Sequence, residues 1–437
     1  MVLTAVSRRS YCSLGVWVPS WTRTHYPYPA SPNGMYETIW VDPIGIIVRQ
    51  DALKLEIERN LHDKDSFVVA AGGPLRIFLS TPYNNFVAFA RNSGWNIFVY
   101  GYDWRRPLAE SADLFKAFIY EFRARVTKHG PDPIPKLNIV CHSMGGLVCT
   151  TALRDRRFSR LGFHAIVTVA TPFYGTCTQH DFYYIGFDLL NRLYSARTVA
   201  DIAASLPGPY SLLFPPKEVY VRDAALLGLH RYPVRDYTSG IDTDPFDPRI
   251  KRRWPKRVRD HYAYLDQNKA ALIELTKPVD AAVQPIFFNV RSSRSKCAVE
   301  LLWKDVDGDS IDPENGQSPI NQVLGPGDGT VPFWSAWHAN AYSRTDNRYE
   351  LSQAKDHVLL FEHQEVIDVV GSIVSKRKLP KRAPRVPKKA PAVASPKTVN
   401  KVMKELARRL DQKKPPSANL FKKSVQRGVI RELMSKG

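Results

Sequence analysis

Between about residue 36 and residue 375, short apolar runs alternate with segments whose apolar residues recur at helical spacing. Four runs have the composition of strands: WNIFVY (95–100), LNIVC (137–141), HAIVTVA (164–170) and PIFFNV (285–290). Strands covered on both faces are almost continuously apolar, whereas half-exposed strands alternate between apolar and polar residues. The pattern therefore predicts an α/β protein with a mostly parallel sheet and helices on both of its faces.

The segment between the first two predicted strands, SADLFKAFIYEFRARVTKHG, has the pattern of an amphipathic helix. Five apolar residues fall on one helical face: Phe115, Phe118, Ile119, Phe122 and Val126. Ser111 is the predicted N-cap and Gly130 the predicted end. A second helix is predicted from just after Ser143 to about Asp155.

Three other regions depart from this alternation. Residues 1–35 show no clear period and are predicted to be irregular. From about 176 to 280 the strand rhythm fails, and Tyr-, Leu- and Pro-rich segments such as FYYIGFDLLNRLY predict a cap or lid inserted into a domain of residues 36–375. Residues 376–437 form a Lys-, Arg- and Pro-rich tail, a composition typical of disorder.

The basic charge of the chain belongs to this tail. The 437 residues carry a net charge of +20, and residues 376–437 account for 20 Lys and Arg against 3 Asp and Glu. A tail of this charge predicts binding to an anionic membrane surface. Nucleic acid is a weaker candidate because Phe421 is the tail's only aromatic residue, and a solubilising disordered tail is the plain alternative.

Within the tail, one amphipathic helix is a candidate. Its apolar stripe consists of Val399, Val402, Met403, Leu406 and Leu410. Nothing in the sequence predicts an oligomeric state.

Cysteine usage and the first residues bear on the compartment. The five cysteines are odd in number and lack CxxC spacing, which predicts reduced thiols in the cytoplasm. Arg8 and Arg9 resemble a twin-arginine signal, but the apolar run after them is short and reaches Pro19. We therefore expect no export, and a protein that is peripheral at the membrane if the tail binds lipid.

The stretch LNIVCHSMGGLVCTTAL (137–153) has the form of a nucleophile elbow, in which a strand, a sharp turn carrying a serine and a helix follow one another. Cys141 and Gly145 are small enough to let strand and helix pass closely, although glycine is commoner in the place of Cys141. The Met144 N–H would point at a developing oxyanion. The alternative is that Ser143 only caps the helix.

A serine nucleophile needs a base and an acid, which follow it in the chain in this architecture. Asp328 lies in a glycine-flanked turn, GPGDGTVPFWSA, and His357 lies just before an amphipathic pattern, in AKDHVLLFEHQEVIDVV. His363 is the rival base, but it adjoins the helical pattern. Asp328 alone could be a turn-former and His357 alone a helix-terminal residue; their order and context with Ser143 favour a triad.

Six segments resemble lecithin:cholesterol acyltransferase-like proteins, in order: GYDWRRP (101–107), CHSMGG (141–146), TPFYGT (171–176), SLPGPYSLLFP (205–215), GDGTVPFWSA (327–336) and the His357 segment. The resemblance covers roughly residues 38–375. It implies an α/β-hydrolase fold, with Ser143 as nucleophile, Asp328 as orienting acid and His357 as general base. It also implies lipid acyl-ester substrates, with the acyl group passed to water or to an alcohol.

Asp103, Trp104 and Arg105 follow a predicted strand and are candidates for lining the substrate pocket, because sites in open α/β sheets lie at the carboxyl ends of the strands. The alternative is an Asp–Arg pair packed under the tryptophan. Proteins of this family normally open with a strand and a glycine loop that supplies a second oxyanion donor. We find no counterpart, since FVVAAGGP (67–74) lies too close to residues 101–107. Either the start is truncated or miscalled, or another loop supplies this donor.

The segment DVDGDSIDPENG (305–316) spaces Asp305, Asp307 and Asp309 like the start of a calcium loop. Ser310 and Gly316 stand where such a loop has glycine and glutamate. A solvated acidic loop is therefore the default, and no metal or cofactor is predicted because serine chemistry needs none. The sequence predicts a lipid-ester hydrolase or acyltransferase; the alternative is a weak or inactive hydrolase-fold protein whose tail binds an anionic surface or nucleic acid.

Overall fold

The computed structural model describes residues 2–6, 82–129, 136–187, 191, 194–340, 347–354, 356–376 and 378, and residues 397, 398, 401, 404, 405 and 408 of the tail. The strands are β1 (Val2–Val6), β2 (Asn96–Tyr100), β3 (Asn138–His142), β4 (Ala165–Val169), β5 (Val234–Asp236), β6 (Phe287–Ser292), β7 (Ser295–Trp303), β8 (Ile320–Gly327) and β9 (Arg348–Leu351).

The helices are α1 (Asn84–Asn92), α2 (Leu108–His129), α3 (Met144–Ala152), α4 (Arg156–Ser159), α5 (Thr178–Ile185), α6 (Ala196–Ser205), α7 (Lys217–Leu227), α8 (Lys256–Arg259), α9 (Tyr262–Leu275) and α10 (Gln364–Lys376). Short 3-10 helices cover Gly208–Leu212, Pro248–Arg253, Gln284–Ile286, Gly308–Ser310, Pro313–Asn315 and His357–Glu362.

The larger sheet has the strand order β2-β1-β3-β4-β6-β9. Strands β3, β4, β6 and β9 are parallel neighbours, and β1 runs antiparallel to both β2 and β3. Every residue of β3 and β4 is buried. The predicted mostly parallel sheet, with helices on both faces, is confirmed.

Alternate residues of the central strands build two cores. Ile139 of β3 packs toward α2 and α3, in a cluster with Phe115 and Leu147. Val140 points the other way, toward α1 and α10, in a second cluster with Phe86. The period-two alternation of a strand thus covers both faces of the sheet with apolar side chains.

The four predicted strands of the larger sheet match β2, β3, β4 and β6 to within about two residues. The predicted N-cap at Ser111 is wrong. Helix α2 begins at Leu108, directly after Pro107, and the Ser111 N–H donates to the Pro107 carbonyl, so Ser111 lies inside the first turn. Proline fixes φ near the helical value, which suits it to a helix start. Gly130 lies outside the described residues.

Within residues 1–35, which were predicted to be irregular, Val2–Val6 instead form β1 between β2 and β3, and residues 7–35 lie outside the described ranges. The register of β1 pairs Val2 with Tyr100 and with Cys141. A five-residue strand with a central threonine has no periodic signal that would separate it from an irregular segment. The segment FVVAAGGP (67–74) lies outside the described residues.

The region predicted as a cap contains helices α5 to α9 and strand β5. Strand β5 joins β7 and β8 in a smaller sheet of order β5-β7-β8, in which β5 and β7 are parallel and β7 and β8 antiparallel. Leu301 and Trp303 of β7 belong to the same apolar cluster as Ile139 of β3. One continuous core therefore joins the two sheets.

The acidic loop predicted to be solvated is exposed at Asp305, Asp307 and Asp309, and the carboxylates of Asp305 and Asp309 are also paired with arginines. Asp305 contacts Arg252 and Arg253, and Asp309 accepts from the Arg259 guanidinium. Asp307 accepts from the Asp309 N–H and caps a 3-10 helix. In the described part of the chain, no group of three or more metal-ligating side chains is placed to hold an ion.

Among the residues that the structure describes, no helix has the length and apolar character needed to cross a membrane. The six described residues between 397 and 408 are helical, in the part of the tail where the sequence predicts an amphipathic helix. That helix and the disorder of the rest of the tail stay predictions, because the remaining residues lie outside the described ranges.

Candidate active site

Ser143 lies in a sharp turn between β3 and α3. Its backbone has φ +54° and ψ −135°, a conformation that residues with a Cβ rarely adopt. The turn is held from both sides, since the Ser143 N–H donates to the Val169 carbonyl (3.0 Å) and the Gly146 N–H donates to the Ser143 carbonyl (2.9 Å). Such strain, of about 1–3 kcal/mol, persists only where the surrounding structure enforces it. The turn lifts the hydroxyl above the carboxyl end of the sheet.

Close packing behind the turn requires glycine at position 146. A Cβ built there would lie 1.9 Å from Oγ1 of Thr171, which follows β4. Cys141 and Gly145 were predicted to let strand and helix pass closely, but Gly146 was not. The doubled glycine in SMGG was the available signal.

Asp328 was predicted to lie in a loop at the end of a strand, and it directly follows β8. Its Oδ1 accepts from the backbone N–H groups of Thr330 (3.1 Å) and Val331 (2.8 Å), and its side chain is buried. Gly329 has φ +95°, which only glycine adopts readily. The flanking glycine thus permits a tight turn that aims the other carboxylate oxygen, Oδ2, toward His357.

His357 opens the 3-10 helix His357–Glu362, which lies between β9 and α10. Its backbone N–H donates to the Asp328 carbonyl (2.9 Å). Its ring Nδ1 lies 2.7 Å from Asp328 Oδ2, and its Nε2 lies 2.8 Å from Ser143 Oγ. The rival His363 lies beyond this 3-10 helix, directly before α10, and it is His357 whose ring reaches Ser143.

The three side chains brought together form a linear chain of hydrogen bonds. Because the carboxylate of Asp328 accepts, His357 carries its proton on Nδ1, and its bare Nε2 accepts from the Ser143 hydroxyl. Asp328 and His357 are almost wholly buried, with 1% and 3% of their surface exposed. This arrangement can remove a proton from the serine and return it to a leaving group.

Glu365, which the sequence analysis did not single out, anchors the loop before His357. This buried residue lies in the first turn of α10 and accepts four hydrogen bonds. The donors are the Ser352 N–H (2.6 Å) and hydroxyl (2.6 Å) and the N–H groups of Gln353 (2.9 Å) and Ala354 (3.1 Å). A glutamate among the apolar residues of a helix start was the signal that could have indicated it.

Met144 is the first residue of α3, so its N–H belongs to the unpaired group at a helix N-terminus, as predicted for an oxyanion donor. A second donor is not identified among the described residues. The oxyanion role of Met144 stays a prediction.

The candidate pocket residues Asp103, Trp104 and Arg105 have the arrangement of the structural alternative. Arg105, with 1% of its surface exposed, donates to both carboxylate oxygens of Asp103, at 2.9 and 2.7 Å. Trp104 packs against the larger apolar cluster. The Arg105 carbonyl accepts from the Gly208 N–H (2.8 Å), so this segment fastens the cap to the end of β2.

One protein-family model covers the segment that contains the elbow. A family model described as "Putative serine esterase (DUF676)" matches residues 114–205. One solved chain, from "The crystal structure of Tle4-Tli4 complex", is 15% identical with a TM-score of 0.43, over 76% of this chain and 79% of that chain. No curated protein matches the sequence.

The sheet, the elbow after β3 and the positions of Asp328 and His357 after later strands have the arrangement of the α/β-hydrolase fold. The family match spans Ser143 and ends before the other two residues. It supports, at a coarse level, a serine ester hydrolase.

Proposed function

We propose that the protein is a serine-dependent lipid-ester hydrolase or O-acyltransferase, of the phospholipase type, that works through an acyl-enzyme on Ser143. The observation that carries this proposal is the 2.8 Å contact between Ser143 Oγ and His357 Nε2, in a strained turn at the start of α3. A serine that only capped α3 would use its side chain on the helix, and Ser143 makes no side-chain cap bond.

In the proposed reaction, His357 Nε2 takes the Ser143 proton while Oγ attacks the acyl carbonyl. The tetrahedral oxyanion forms near the N-terminus of α3, where the Met144 N–H donates to it. His357 then gives the proton to the departing alcohol, which leaves the acyl group on Ser143. In the second half, His357 deprotonates water or an alcohol, and attack on the acyl-enzyme releases the product. Asp328 holds the imidazole tautomer throughout.

The lipid character of the substrate is supported by the motif resemblance rather than by the triad, which serves many esters. The segments GYDWRRP, TPFYGT and GDGTVPFWSA stand at the ends of β2, β4 and β8, around Ser143. A triad embedded in these segments is typical of lecithin:cholesterol acyltransferase-like enzymes, so we propose a phospholipid or related acyl ester as substrate.

The test combines covalent labelling with product analysis. We expect a fluorophosphonate probe to label the full chain, and Ser143→Ala to abolish labelling while its melting temperature stays unchanged. Phospholipid vesicles should yield free fatty acid, and an added long-chain alcohol should yield its acyl ester if the enzyme is a transferase. Labelling that persists in Ser143→Ala, or a wild-type chain that neither labels nor releases fatty acid, would refute the proposal.

We propose further that residues 376–437 bind an anionic membrane surface, which would bring the enzyme to lipid. Support comes from the 20 basic and 3 acidic residues of this segment. Deleting it should weaken sedimentation with phosphatidylserine vesicles, and the loss should match the salt sensitivity of the wild type. Equal binding by the truncated chain would contradict this, and retention of single-stranded RNA alone would favour nucleic acid.

A further inference from the structure

His142, the last residue of β3, stands between the nucleophile and the base without belonging to the triad. It directly precedes Ser143 and is buried, with 4% of its surface exposed. Its ring lies beside the ring of His357, with centroids 4.9 Å apart. Rings of Tyr83 (5.7 Å) and Phe361 (5.4 Å) meet it edge-on. The sequence analysis did not consider this residue.

Both ring nitrogens of His142 are hydrogen-bonded. Nε2 lies 2.9 Å from the His357 carbonyl oxygen, and Nδ1 lies 2.9 Å from the Tyr83 hydroxyl. A carbonyl can only accept, so Nε2 carries the proton of the neutral ring. Nδ1 is then an acceptor, and the Tyr83 hydroxyl donates to it. The His357 carbonyl therefore fixes the tautomer of His142, and the Tyr83 hydroxyl satisfies the other ring nitrogen and holds the ring in place.

This contact holds the residue His357 at its carbonyl, whereas Asp328 holds it at its N–H and its ring. The backbone N–H of His357 donates to the Asp328 carbonyl (2.9 Å) and its Nδ1 to the Asp328 carboxylate (2.7 Å). With the carbonyl bonded to His142, both peptide groups flanking the base are fixed. The third contact comes from the residue next to the nucleophile, so it ties the base directly to the elbow.

Helix α1 supports this arrangement from behind. Phe86 packs edge-on against Phe361, with ring centroids 5.0 Å apart. The Asn85 side-chain amide donates to the Glu362 carbonyl (3.3 Å). Helix α1 therefore braces the 3-10 helix at the same time as Tyr83, just before it, orients His142.

The neutral state of His142 suits a neighbour that becomes charged. Burial, and secondarily the adjacent His357, hold the pKa of His142 well below its ordinary value. His357 becomes an imidazolium each time it takes the Ser143 proton. A neutral His142 keeps its N–H on the His357 carbonyl during that step, without placing a second cation beside the first.

We propose that His142, oriented by Tyr83, is a positioning residue that holds the base His357 in line with Ser143. This inference rests on the proposed function, in which His357 accepts the Ser143 proton. His142, the residue directly before the nucleophile, would thus contribute to the chemical step and not only to the packing of β3.

The test measures how fast a fluorophosphonate inactivates the full chain, separating the limiting rate from the probe concentration at half saturation. His142→Leu should lower the limiting rate about 10- to 100-fold, because misplacing a base by an ångström costs about that much, and change the half-saturation less than about threefold. The matched control is His338→Leu. His338 is also buried and also bonds a backbone carbonyl through Nε2 (Leu275, 2.9 Å), but its ring packs against Phe173 and Phe287 rather than against His357.

Rescue and a milder variant distinguish positioning from folding. His142→Gln retains an N–H that can reach the His357 carbonyl and should recover most of the lost rate. Tyr83→Phe should cost about three- to tenfold, since one hydrogen bond is removed. Tyr184→Phe, which deletes the buried hydroxyl bonded to the Arg253 carbonyl, should leave the rate unchanged. If His142→Leu unfolds, the comparison of Tyr83→Phe with Tyr184→Phe decides.

The outcomes separate the two proposals. A wild-type chain that the probe does not label overturns the proposed function and this inference with it. A labelled wild type whose His142→Leu variant reacts as fast as His338→Leu overturns this inference alone. The inference is supported if His142→Leu and Tyr83→Phe lose rate, while the controls His338→Leu and Tyr184→Phe show the same change in melting temperature without that loss.

Discussion

The two sheets of this molecule are stabilised by different contacts. The larger sheet buries aliphatic side chains on both faces, as Ile139 and Ile166 on one face and Val140 and Val167 on the other illustrate. The cap and the smaller sheet are packed with aromatic rings. Tyr183 stacks on Tyr210 at 4.8 Å, and Trp254 meets Trp303 edge-on at 4.8 Å.

The cap also buries charge. Arg253 pairs with Asp236 at 2.9 Å and donates to the Trp303 carbonyl at 3.0 Å, with both charged side chains nearly inaccessible. Periodic aliphatic burial tolerates exchanges of similar volume, whereas a buried ion pair fails when one partner is removed. We therefore expect substitutions in the triad to cost activity, and removal of a buried charge in the cap to cost stability.

The largest effect should come from Asp328→Asn. The amide can keep the N–H bonds from Thr330 and Val331, but it no longer favours the tautomer of His357 that leaves Nε2 bare. We expect ester hydrolysis to fall about 10⁴-fold with little change in thermal unfolding. Measured turnover within tenfold of the wild type would contradict the expectation that substitutions in the triad cost activity.

The next effect is on stability. Arg253→Ala leaves the buried Asp236 carboxylate without its cation, and we expect the free energy of unfolding to drop by about 3 kcal/mol. Arg249→Ala is the control, because the Arg249–Asp247 pair lies at the surface, where solvent screening leaves such pairs with little effect on stability. Urea unfolding gives both values, and equal losses in the two variants would contradict the special sensitivity of the buried pair in the cap.

The smallest effect depends on pH. Burial raises the pKa of Asp181, in α5, to about 6, although Ser318 and Gln322 donate to it. The folded state therefore favours the protonated carboxyl. This contribution to stability is fully present below about pH 4 and is lost as the pH rises through about 6.

Asp181→Asn should accordingly raise the free energy of unfolding by about 1–2 kcal/mol at pH 7 and leave it nearly unchanged at pH 4. Asp266→Asn, which removes an exposed carboxylate of α9, is the control for the loss of one negative charge. Unfolding curves at pH 4, 5, 6 and 7 test this. A gain that is the same at every pH would contradict the assigned direction.

The same difference between the sheets explains what could be predicted from the sequence. Apolar runs such as those of β3 and β4 are strands because both faces are covered, and that requirement is visible in the residues themselves. Ser143, Asp328 and His357 could be selected because their chain order and their turns are local properties. Their convergence to 2.7 and 2.8 Å is what the structure adds.

Ion pairs and hydrogen bonds between residues far apart in the chain leave no such pattern in the sequence. The carboxylates of Asp305 and Asp309 look like free loop acids until Arg253 and Arg259, about 50 residues earlier, are brought against them. Strands β7 and β8 were not predicted, since exposed Leu324 blurs the alternation of β8. His142 and Glu365 were missed for the same reason: their roles depend on backbone groups that no spacing rule connects to them.

Asp328 is carried by β8 of the smaller sheet, whereas Ser143 and His357 are carried by segments of the larger one. Turnover therefore requires the smaller sheet to stay packed against the larger one, because only then does Asp328 reach His357. A partly unfolded form that kept the aliphatic layer and released the β7–β8 hairpin would retain most of its secondary structure and lose its chemistry. Loss of activity should thus precede loss of ellipticity on gentle heating.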